Sequence, residues 1–301
     1  MNLTSPSQVK AWCIEHDFHP NKVLGQNFLI DQNALKAIVD AGLEASGKVE
    51  EWKGGKVQEA GKENVLEIGP GLGVLTEEML GRGCRVTAVE KDPVLAARLA
   101  ESLGNPPNLT VIAGDALDVI HAIGNSSAPG TFPPFHSSAF PLPFTHMISN
   151  LPYQAGTRIL LDLVKMRAIP TMTVLVQTEV AERLAAGPGS KTRGLAGVWA
   201  QLDYDVKIVR KVSASCFWPR PEIGSSVVRL DLHDRNAALA DSERKVFHRL
   251  TKRAFEHRRK QLGSVFKGIV ESSARAEELS NEDWNALARA LAQDEDVRSR
   301  I

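Results

Sequence analysis

The sequence predicts an α/β protein with a doubly wound, mostly parallel sheet, followed by a small all-α region. Short apolar runs alternate with segments of helical period, and strands that are apolar throughout are typical of a sheet covered by helices on both faces. Beyond residue 236 the pattern is helical and shows no strand. The runs that we interpret as the main strands are 65–69, 84–92, 109–117, 144–153 and the first part of 171–184.

The helices are marked by the residues that open them. Ser5, Pro6 and Gln8 have the capping and first-turn pattern of an N-terminal helix. Asp31 and Pro93 precede or open two further helices, in the position that each residue type favours. Helices therefore alternate with the strands, as a doubly wound sheet requires.

The end of the sheet region is marked by two stretches of alternating pattern, 203–212 and 225–232. Only helical segments follow them. We therefore expect a catalytic sheet domain over residues 1–235 and a helical domain over residues 236–301.

The composition excludes several classes of protein. No apolar run is long enough to span a bilayer, and the N-terminus lacks the apolar core of a secretory signal. The cysteines Cys13, Cys84 and Cys216 are far apart and odd in number, so they form neither a disulfide framework nor a zinc-binding spacing. We expect a cytoplasmic, monomeric protein with no bound metal and no membrane contact.

The net charge is zero, but charge is segregated along the chain. Residues 242–267 hold nine Lys and Arg against two Glu. Such a basic segment is typical of a surface that contacts a phosphate backbone. Taken alone, a solvated helix face is the simpler explanation.

A glycine-rich turn follows the first predicted strand. Gly69, Gly71 and Gly73 form G-x-G-x-G, which is not the G-x-G-x-x-G of pyrophosphate binding. The next two strands end near Glu90, which can accept hydrogen bonds from ribose hydroxyls, and Asp115, which can accept from an adenine amino group. Either acid alone could be a helix cap, but the three strand ends together predict a nucleoside site, and the missing fingerprint favours S-adenosylmethionine over NAD.

The fourth strand delivers Asn150-Leu151-Pro152-Tyr153 to the same edge of the sheet. An adenine amino nitrogen is a poor nucleophile, and the amide oxygen of Asn150 with the carbonyl of Leu151 could hold its two hydrogens. Tyr153 offers a face on which an extruded base can stack. The alternative is an ordinary β-turn, in which Asn and Pro are common.

These motifs resemble those of a known family, the ribosomal RNA adenine N6-dimethyltransferases of the bacterial small-subunit type. The resemblance covers nearly the whole chain, and the motifs stand in the family's order. It implies a Rossmann-like class I methyltransferase sheet. The segments that carry it are LGQNFLID (24–31), VLEIGPGLGVLT (65–76), VEKD (89–92), GDAL (114–117), NLPY (150–153), EVAERLAAGPGSK (179–191), FWPRPEIGSSVVRL (217–230) and AFEHRRKQL (254–262).

On the cofactor side, the resemblance implies six binding residues for S-adenosylmethionine, and one of them, Asn150, is also a catalytic residue. Asn27 and Leu29 would close over the cofactor, and Gly69 would lie against its methionine part. Glu90 would hold the ribose, and Asp115 would contact the adenine amino group.

On the substrate side, the resemblance implies three catalytic residues. Asn150 would lie between the cofactor and the target nitrogen, and Tyr153 and Phe217 would sandwich the flipped base. The cluster Arg258-Arg259-Lys260 of the helical domain would grip the RNA backbone.

The implied reaction is the dimethylation of two adjacent adenosines in a hairpin loop near the 3′ end of small-subunit rRNA, on an immature 30S particle, as part of ribosome biogenesis. One alternative is the same chemistry on large-subunit rRNA, as in the antibiotic-resistance branch. Another is an assembly checkpoint factor whose main role is to bind pre-rRNA.

The chain departs from the family pattern at a few places. Gly224 stands where the family usually has Asp or Asn, and Arg193 stands where an aromatic residue is common. The stretches 46–62 and 124–144 are longer than expected and resemble exposed excursions. None of these departures falls on the predicted cofactor site.

Overall fold

The computed structural model describes residues 3–21, 24–44, 63–124, 144–236 and 239–293. Two compact units make up the chain. The sheet unit comprises Met1–Thr178 and Lys207–Asp231, and the helical unit comprises Glu179–Val206 and Leu232–Ile301.

The strands form a sheet of seven and a separate pair. In chain order the strands are β1 (Phe28–Leu29), β2 (Asn64–Ile68), β3 (Arg85–Glu90), β4 (Leu109–Ala113), β5 (His146–Asn150), β6 (Thr171–Gln177), β7 (Tyr204–Val212), β8 (Phe217–Trp218) and β9 (Ser225–Leu232). The large sheet has the order β4-β3-β2-β5-β6-β9-β7, and β1 pairs with β8. From β4 to β6 all neighbours are parallel, whereas β9 is antiparallel to β6.

The strand order reverses between β2 and β5. From β2 the chain proceeds outward through β3 to β4, and it then returns to add β5 on the other side of β2. Such a reversal leaves a crevice at the carboxyl ends of the two strands, where ligands of doubly wound sheets bind. The predicted doubly wound, mostly parallel sheet is thus confirmed.

The helices of the sheet unit alternate with its strands. They are α1 (Pro6–Glu15), α2 (Gln32–Leu43), α3 (Val74–Gly81), α4 (Pro93–Ser102), α5 (Ala116–Gly124) and α6 (Gly156–Met166). The carboxylate of Asp31 caps α2 by accepting from the backbone N–H of Ala34 at 2.7 Å. No helix among the described residues is long and apolar enough to cross a membrane.

The core of the sheet unit explains why these segments fold as they do. Val65 of β2 and Val86 of β3 are fully buried and belong to the same cluster as Ile38 of α2 and Met79 of α3. Burying a side chain of this size contributes roughly 1.5–3 kcal/mol each. The continuous apolar strands of the sequence are therefore strands covered by helices.

The helical unit has its own core. Its helices are α7 (Thr178–Ala185), α8 (Leu195–Asp203), α9 (Asp241–Glu256), α10 (Leu262–Val265) and α11 (Asn281–Ala292). Val246, Phe247 and Leu250 lie on one side of α9 and pack with Val198 of α8 and Trp284 of α11 in a single cluster. The all-α character predicted for the C-terminal region is confirmed.

The limits of the two units differ from the linear division after residue 235. The segment 179–206 groups with the C-terminal helices because polar contacts tie it to them. The guanidinium of Arg244 donates to both carboxylate oxygens of Asp203, at 2.8 and 3.0 Å. The guanidinium of Arg193 donates to the amide oxygen of Asn281 at 2.8 Å. Such long-range pairings leave no pattern in the local sequence.

Several elements differ in extent from the sequence-based prediction. The strand expected over 109–117 ends at Ala113, because α5 begins at Ala116. The predicted excursions fall almost entirely on residues 45–62 and 125–143, which lie outside the described residues.

Candidate active site

A cavity lies at the carboxyl ends of β2, β3 and β5, where the strand order reverses. Its empty space is about 1210 Å³, a figure that includes the open solvent at its mouth. Seven of the eight residues predicted for the site line this cavity: Asn27, Leu29, Gly69, Glu90, Asp115, Asn150 and Tyr153.

The glycine turn after β2 uses its own backbone donors. The N–H of Gly69 donates to Val89 O, that of Gly71 to Glu90 Oε2, and that of Gly73 to Pro70 O, at 2.9, 3.0 and 2.9 Å. A pyrophosphate-binding turn keeps such N–H groups available for the ligand. The three glycine N–H groups of this turn are therefore occupied within the protein, in agreement with the missing pyrophosphate fingerprint.

Gly71 shows why the turn requires glycine. Its φ is +61°, in the left-handed region that other residues avoid. A Cβ at this position would lie 3.1 Å from the ring of Phe28. Glycine thus allows the chain segment that carries β1 to approach the turn.

Glu90 ends β3 and is held in a single orientation. It is 6% exposed, and its Oε1 accepts from the N–H of Asp92 at 2.8 Å while its Oε2 accepts from the N–H of Gly71 at 3.0 Å. Burial raises the pKa of this carboxyl, and the backbone donors oppose the rise. Since a carboxylate oxygen can accept more than one hydrogen bond, Glu90 can still receive a pair of ribose hydroxyls.

Asp115 opens α5 and forms an ion pair. Its Oδ1 accepts from the N–H of Leu117 at 2.9 Å, and its Oδ2 lies 2.7 Å from Lys91 Nζ. The hydrogen bond from Lys91 lowers the pKa of Asp115, so its carboxylate is ionised at neutral pH. The motif VEKD contains this lysine, but we did not predict its contact with Asp115.

Glu67 is a cavity residue that we did not predict from the sequence. It lies in β2 just before the glycine turn, is 1% exposed, and accepts a hydrogen bond from Thr76 Oγ1 at 2.6 Å. Burial, with a smaller contribution from the charge of Glu90, raises the pKa of Glu67 to about 8. Burying an acidic side chain costs free energy, so an acid within a largely apolar strand is unusual. This unusual position in the sequence could have marked Glu67 as a candidate site residue.

Asn150 ends β5, and the two polar atoms of its side-chain amide differ in their hydrogen bonding. Its Nδ2 donates to the carbonyl oxygen of Asn27 at 3.1 Å. Its Oδ1 is buried and has no hydrogen-bond partner among the described residues. Because an unpaired buried acceptor costs free energy, this oxygen at the cavity wall is a candidate for binding a ligand donor.

Tyr153 follows Asn150 in the same turn and is anchored through its hydroxyl. Its Oη lies 2.9 Å from Ser225 Oγ, at the start of β9. Burial raises the pKa of the phenol, so Tyr153 stays neutral and its ring is held in place from both ends. Ser225 lies 72 residues away in sequence, and we did not predict this contact.

Phe217 is the one predicted site residue that does not line the cavity. It lies in β8, opposite Leu29 of β1, and is 2% exposed within the core of the sheet unit. The structure therefore does not bring the rings of Tyr153 and Phe217 together around one open space. A stacking role for Phe217 stays a prediction, and in this structure the ring is a packing residue beneath β1.

The basic cluster predicted to grip RNA is only partly free. Arg258 donates to the carbonyl of Lys191, and its Nε lies 3.5 Å from Glu277 Oε2. Arg259 and Lys260, by contrast, are exposed.

A second basic surface lies on α9. Lys245, Arg249 and Lys252 are exposed and follow one another at helical spacing, opposite the buried residues Val246 and Leu250. This stripe was contained in the predicted basic segment but was not singled out there.

The doubly wound sheet with a cavity at its switch point has the architecture of the Rossmann-like class of α/β proteins. A family model described as "Ribosomal RNA adenine dimethylase" matches residues 17–291, and the chain belongs to this family. The family predicted from the motifs is thus confirmed.

Two bacterial relatives agree with this membership. The chain is 42% identical over 260 residues to a protein of Deinococcus radiodurans named "Ribosomal RNA small subunit methyltransferase A", which covers 86% of this chain and 76% of that protein. A protein of Alkaliphilus oremlandii with the same name is 33% identical over 310 residues, which cover 97% of this chain and 98% of that protein.

A solved structure agrees in fold. The crystal structure of a dimethyladenosine transferase from Plasmodium falciparum matches with a TM-score of 0.66, covering 88% of this chain and 97% of that chain at 20% identity. At this identity the likeness concerns the fold alone.

Proposed function

We propose that the protein transfers methyl groups from S-adenosylmethionine to N6 of two adjacent adenosines in a 3′-terminal hairpin loop of small-subunit rRNA, giving N6,N6-dimethyladenosine. The observation that carries the proposal is the unpaired Oδ1 of Asn150, at the cavity of a chain that belongs to the rRNA adenine dimethylase family. The enzyme would act as a monomer in the cytoplasm, on an immature 30S particle.

The cavity residues fit S-adenosylmethionine. Glu90 offers acceptors to the ribose hydroxyls, and Asp115 offers one to the adenine amino group. Gly69, Asn27 and Leu29 line the cavity. Gly69 would leave space for the methionine part, while Asn27 and Leu29 would cover the cofactor. When bound, this cofactor supplies an electrophilic methyl group on a sulfonium.

Asn150 would act on the target nitrogen. Its Oδ1 would accept one N6 hydrogen, and the neighbouring carbonyl of Leu151 would accept the other. This pairing withdraws the nitrogen lone pair from the ring and aims it at the methyl group, so that positioning and electrostatics supply most of the catalysis. Each transfer would break the sulfonium–methyl bond, leave S-adenosylhomocysteine as a neutral thioether and release one N6 proton to water. In the second transfer only one N6 hydrogen remains to be held.

Tyr153 would hold the adenine ring. A hydroxyl anchored on Ser225 fixes the plane on which an unstacked base can lie. A hairpin loop is a suitable target because its bases unstack at low cost.

Exposed basic residues of the helical unit would bind the RNA backbone. Within the part of the chain that the structure describes, Lys245, Arg249 and Lys252 form no ion pair with an acidic side chain. Arg259 and Lys260 are exposed as well. Each phosphate contact of this kind adds affinity that decreases with salt.

The test is methyl transfer to isolated subunits. Purified protein and tritiated S-adenosylmethionine would be incubated with undermethylated small subunits, and the modified nucleosides would be mapped by mass spectrometry. Fully methylated small subunits serve as the control. We expect dimethyladenosine at an adjacent pair in the 3′ hairpin of the undermethylated particles alone.

Two other outcomes would replace the proposal. Incorporation only into large-subunit RNA would assign the protein to the large-subunit branch of the chemistry. Tight binding to small subunits without methyl incorporation would identify an assembly factor.

A further inference from the structure

Gln26 links the wall of the cavity to its nucleoside end. It lies in the loop Leu24–Leu29, whose residues all line the cavity. Its Oε1 accepts from the N–H of Asn21 at 2.7 Å, and its Nε2 donates to Asp92 Oδ2 at 2.9 Å. Because one partner is a donor and the other an acceptor, the orientation of the amide is determined.

The partner of Gln26 is itself rigidly held. Asp92 is 8% exposed, and its Oδ1 caps α4 by accepting from the N–H groups of Val94 and Leu95 at 3.0 and 3.3 Å. The N–H of Asp92 donates to Glu90 Oε1 at 2.8 Å. A continuous set of hydrogen bonds thus runs from the loop, through the cap of α4, to the carboxylate of Glu90 at the cavity wall.

The same loop is tied at its other end to the transfer site. The carbonyl oxygen of Asn27 accepts from Asn150 Nδ2 at 3.1 Å. The loop is therefore fastened by one side-chain contact at the nucleoside end of the cavity and by another at Asn150. The contact to Asp92 is the stronger of the two, since its acceptor is charged.

We propose that Gln26 is a positioning residue, which latches the 24–29 loop over the nucleoside half of S-adenosylmethionine and so slows the release of that cofactor. The inference rests on the proposed function, because it requires this cofactor in the cavity. Gln26 acts through Asp92 and Glu90 and needs no contact with the reacting atoms.

A reciprocal exchange of the two side chains tests the latch. In Gln26→Glu the new carboxylate faces the carboxylate of Asp92, so no donor is left between them. In Asp92→Asn the new amide NH2 faces the NH2 of Gln26, so no acceptor is left. In the double variant the amide at position 92 can donate to the carboxylate at position 26, while its oxygen still caps α4 and the new carboxylate still accepts from Asn21. Gln8→Glu, on the exposed face of α1, is the matched control for the added charge.

The readouts separate a latch from a merely structural contact. For each single variant we expect the dissociation rate of S-adenosylmethionine, followed by stopped flow, to rise about tenfold, the cost of losing one charge-assisted hydrogen bond. The double variant should return to within about threefold of the unaltered protein. The KM for RNA should stay unchanged, and Gln8→Glu should leave both the dissociation rate and the KM for RNA as they are.

Two results would overturn the latch, and they differ from a failure of the proposed function. Single variants that release the cofactor at the unaltered rate, or a double variant that fails to restore the rate although both singles change it, would exclude the latch. If the unaltered protein does not bind S-adenosylmethionine, the proposed function itself fails, and the latch fails with it.

Discussion

The replacement Glu67→Gln should remove a large pH dependence of stability. The carboxyl of Glu67 is 1% exposed and receives a hydrogen bond from Thr76 Oγ1. Burial chiefly raises its pKa to about 8 in the folded protein, from an ordinary value of 4.5 for a glutamate. A glutamine has nearly the same shape and can still accept from Thr76, but it does not titrate.

The sign of the effect follows from proton linkage. Between pH 4.5 and about 8 the folded protein keeps a proton on Glu67 that the unfolded chain has lost. The free energy of unfolding therefore falls as the pH rises through this range, by about 1.4 kcal/mol per unit at most. Over the whole window the loss amounts to roughly 5 kcal/mol as an order of magnitude.

The assay is urea unfolding of both proteins at pH values from 5 to 8.5. We expect the stability of Glu67→Gln relative to the unaltered protein to increase steadily with pH and to level off above about pH 8. Glu77→Gln, with the same change of charge on the exposed face of α3, should leave the pH dependence as it is. A stability difference between Glu67→Gln and the unaltered protein that does not change with pH would show that the pKa of Glu67 is not raised by folding.

Three further replacements test individual contacts. Tyr153→Phe removes the anchor on Ser225 but keeps the ring, so we expect the KM for RNA to rise about fivefold with little change in the affinity for the cofactor, as steady-state kinetics would reveal. Arg193→Ala leaves buried acceptors without their donor, and we expect it to lower the free energy of unfolding by roughly 3 kcal/mol in a denaturant titration, whereas an exposed arginine would cost almost nothing. Lys91→Ala should raise the pKa of Asp115 from its lowered value towards the usual range, as NMR titration of the carboxyl carbon would measure, and an unchanged pKa would show that the ion pair is not the cause.

The residues at strand ends could be predicted from the sequence. Glu90, Asp115 and Asn150 each follow an apolar run, and the carboxyl ends of parallel strands meet at one edge of a sheet. The prediction needed only the order of the strands and the chemistry of the residues that follow them. For this reason the structure brings all three to a single cavity.

Contacts between distant segments could not be predicted in this way. The hydroxyl of Tyr153 meets Ser225, and the guanidinium of Arg193 meets Asn281, across 72 and 88 residues of sequence. Neither pair forms a motif, because the contact depends on how the elements pack. Arg193, which departs from the family pattern, thus has a structural partner that no local pattern indicates.

The accessibility of the Phe217 ring also depends on a contact between distant segments. The motif FWPRPEIGSSVVRL (217–230) contains this residue, but the position of its ring depends on the pairing of β8 with β1, two strands of two residues each. This pairing places the ring opposite Leu29 and inside the core. Local sequence indicates that an aromatic ring is present, but not whether its face is accessible.

The most direct test of the account is the single-turnover rate of methyl transfer by Asn150→Ala, with undermethylated small subunits and saturating cofactor. If the unpaired Oδ1 of Asn150 holds the target nitrogen, the rate should fall by about 100-fold or more while the affinity for S-adenosylmethionine changes by less than about threefold. A variant that transfers methyl groups at the unaltered rate would contradict the central role given to this oxygen.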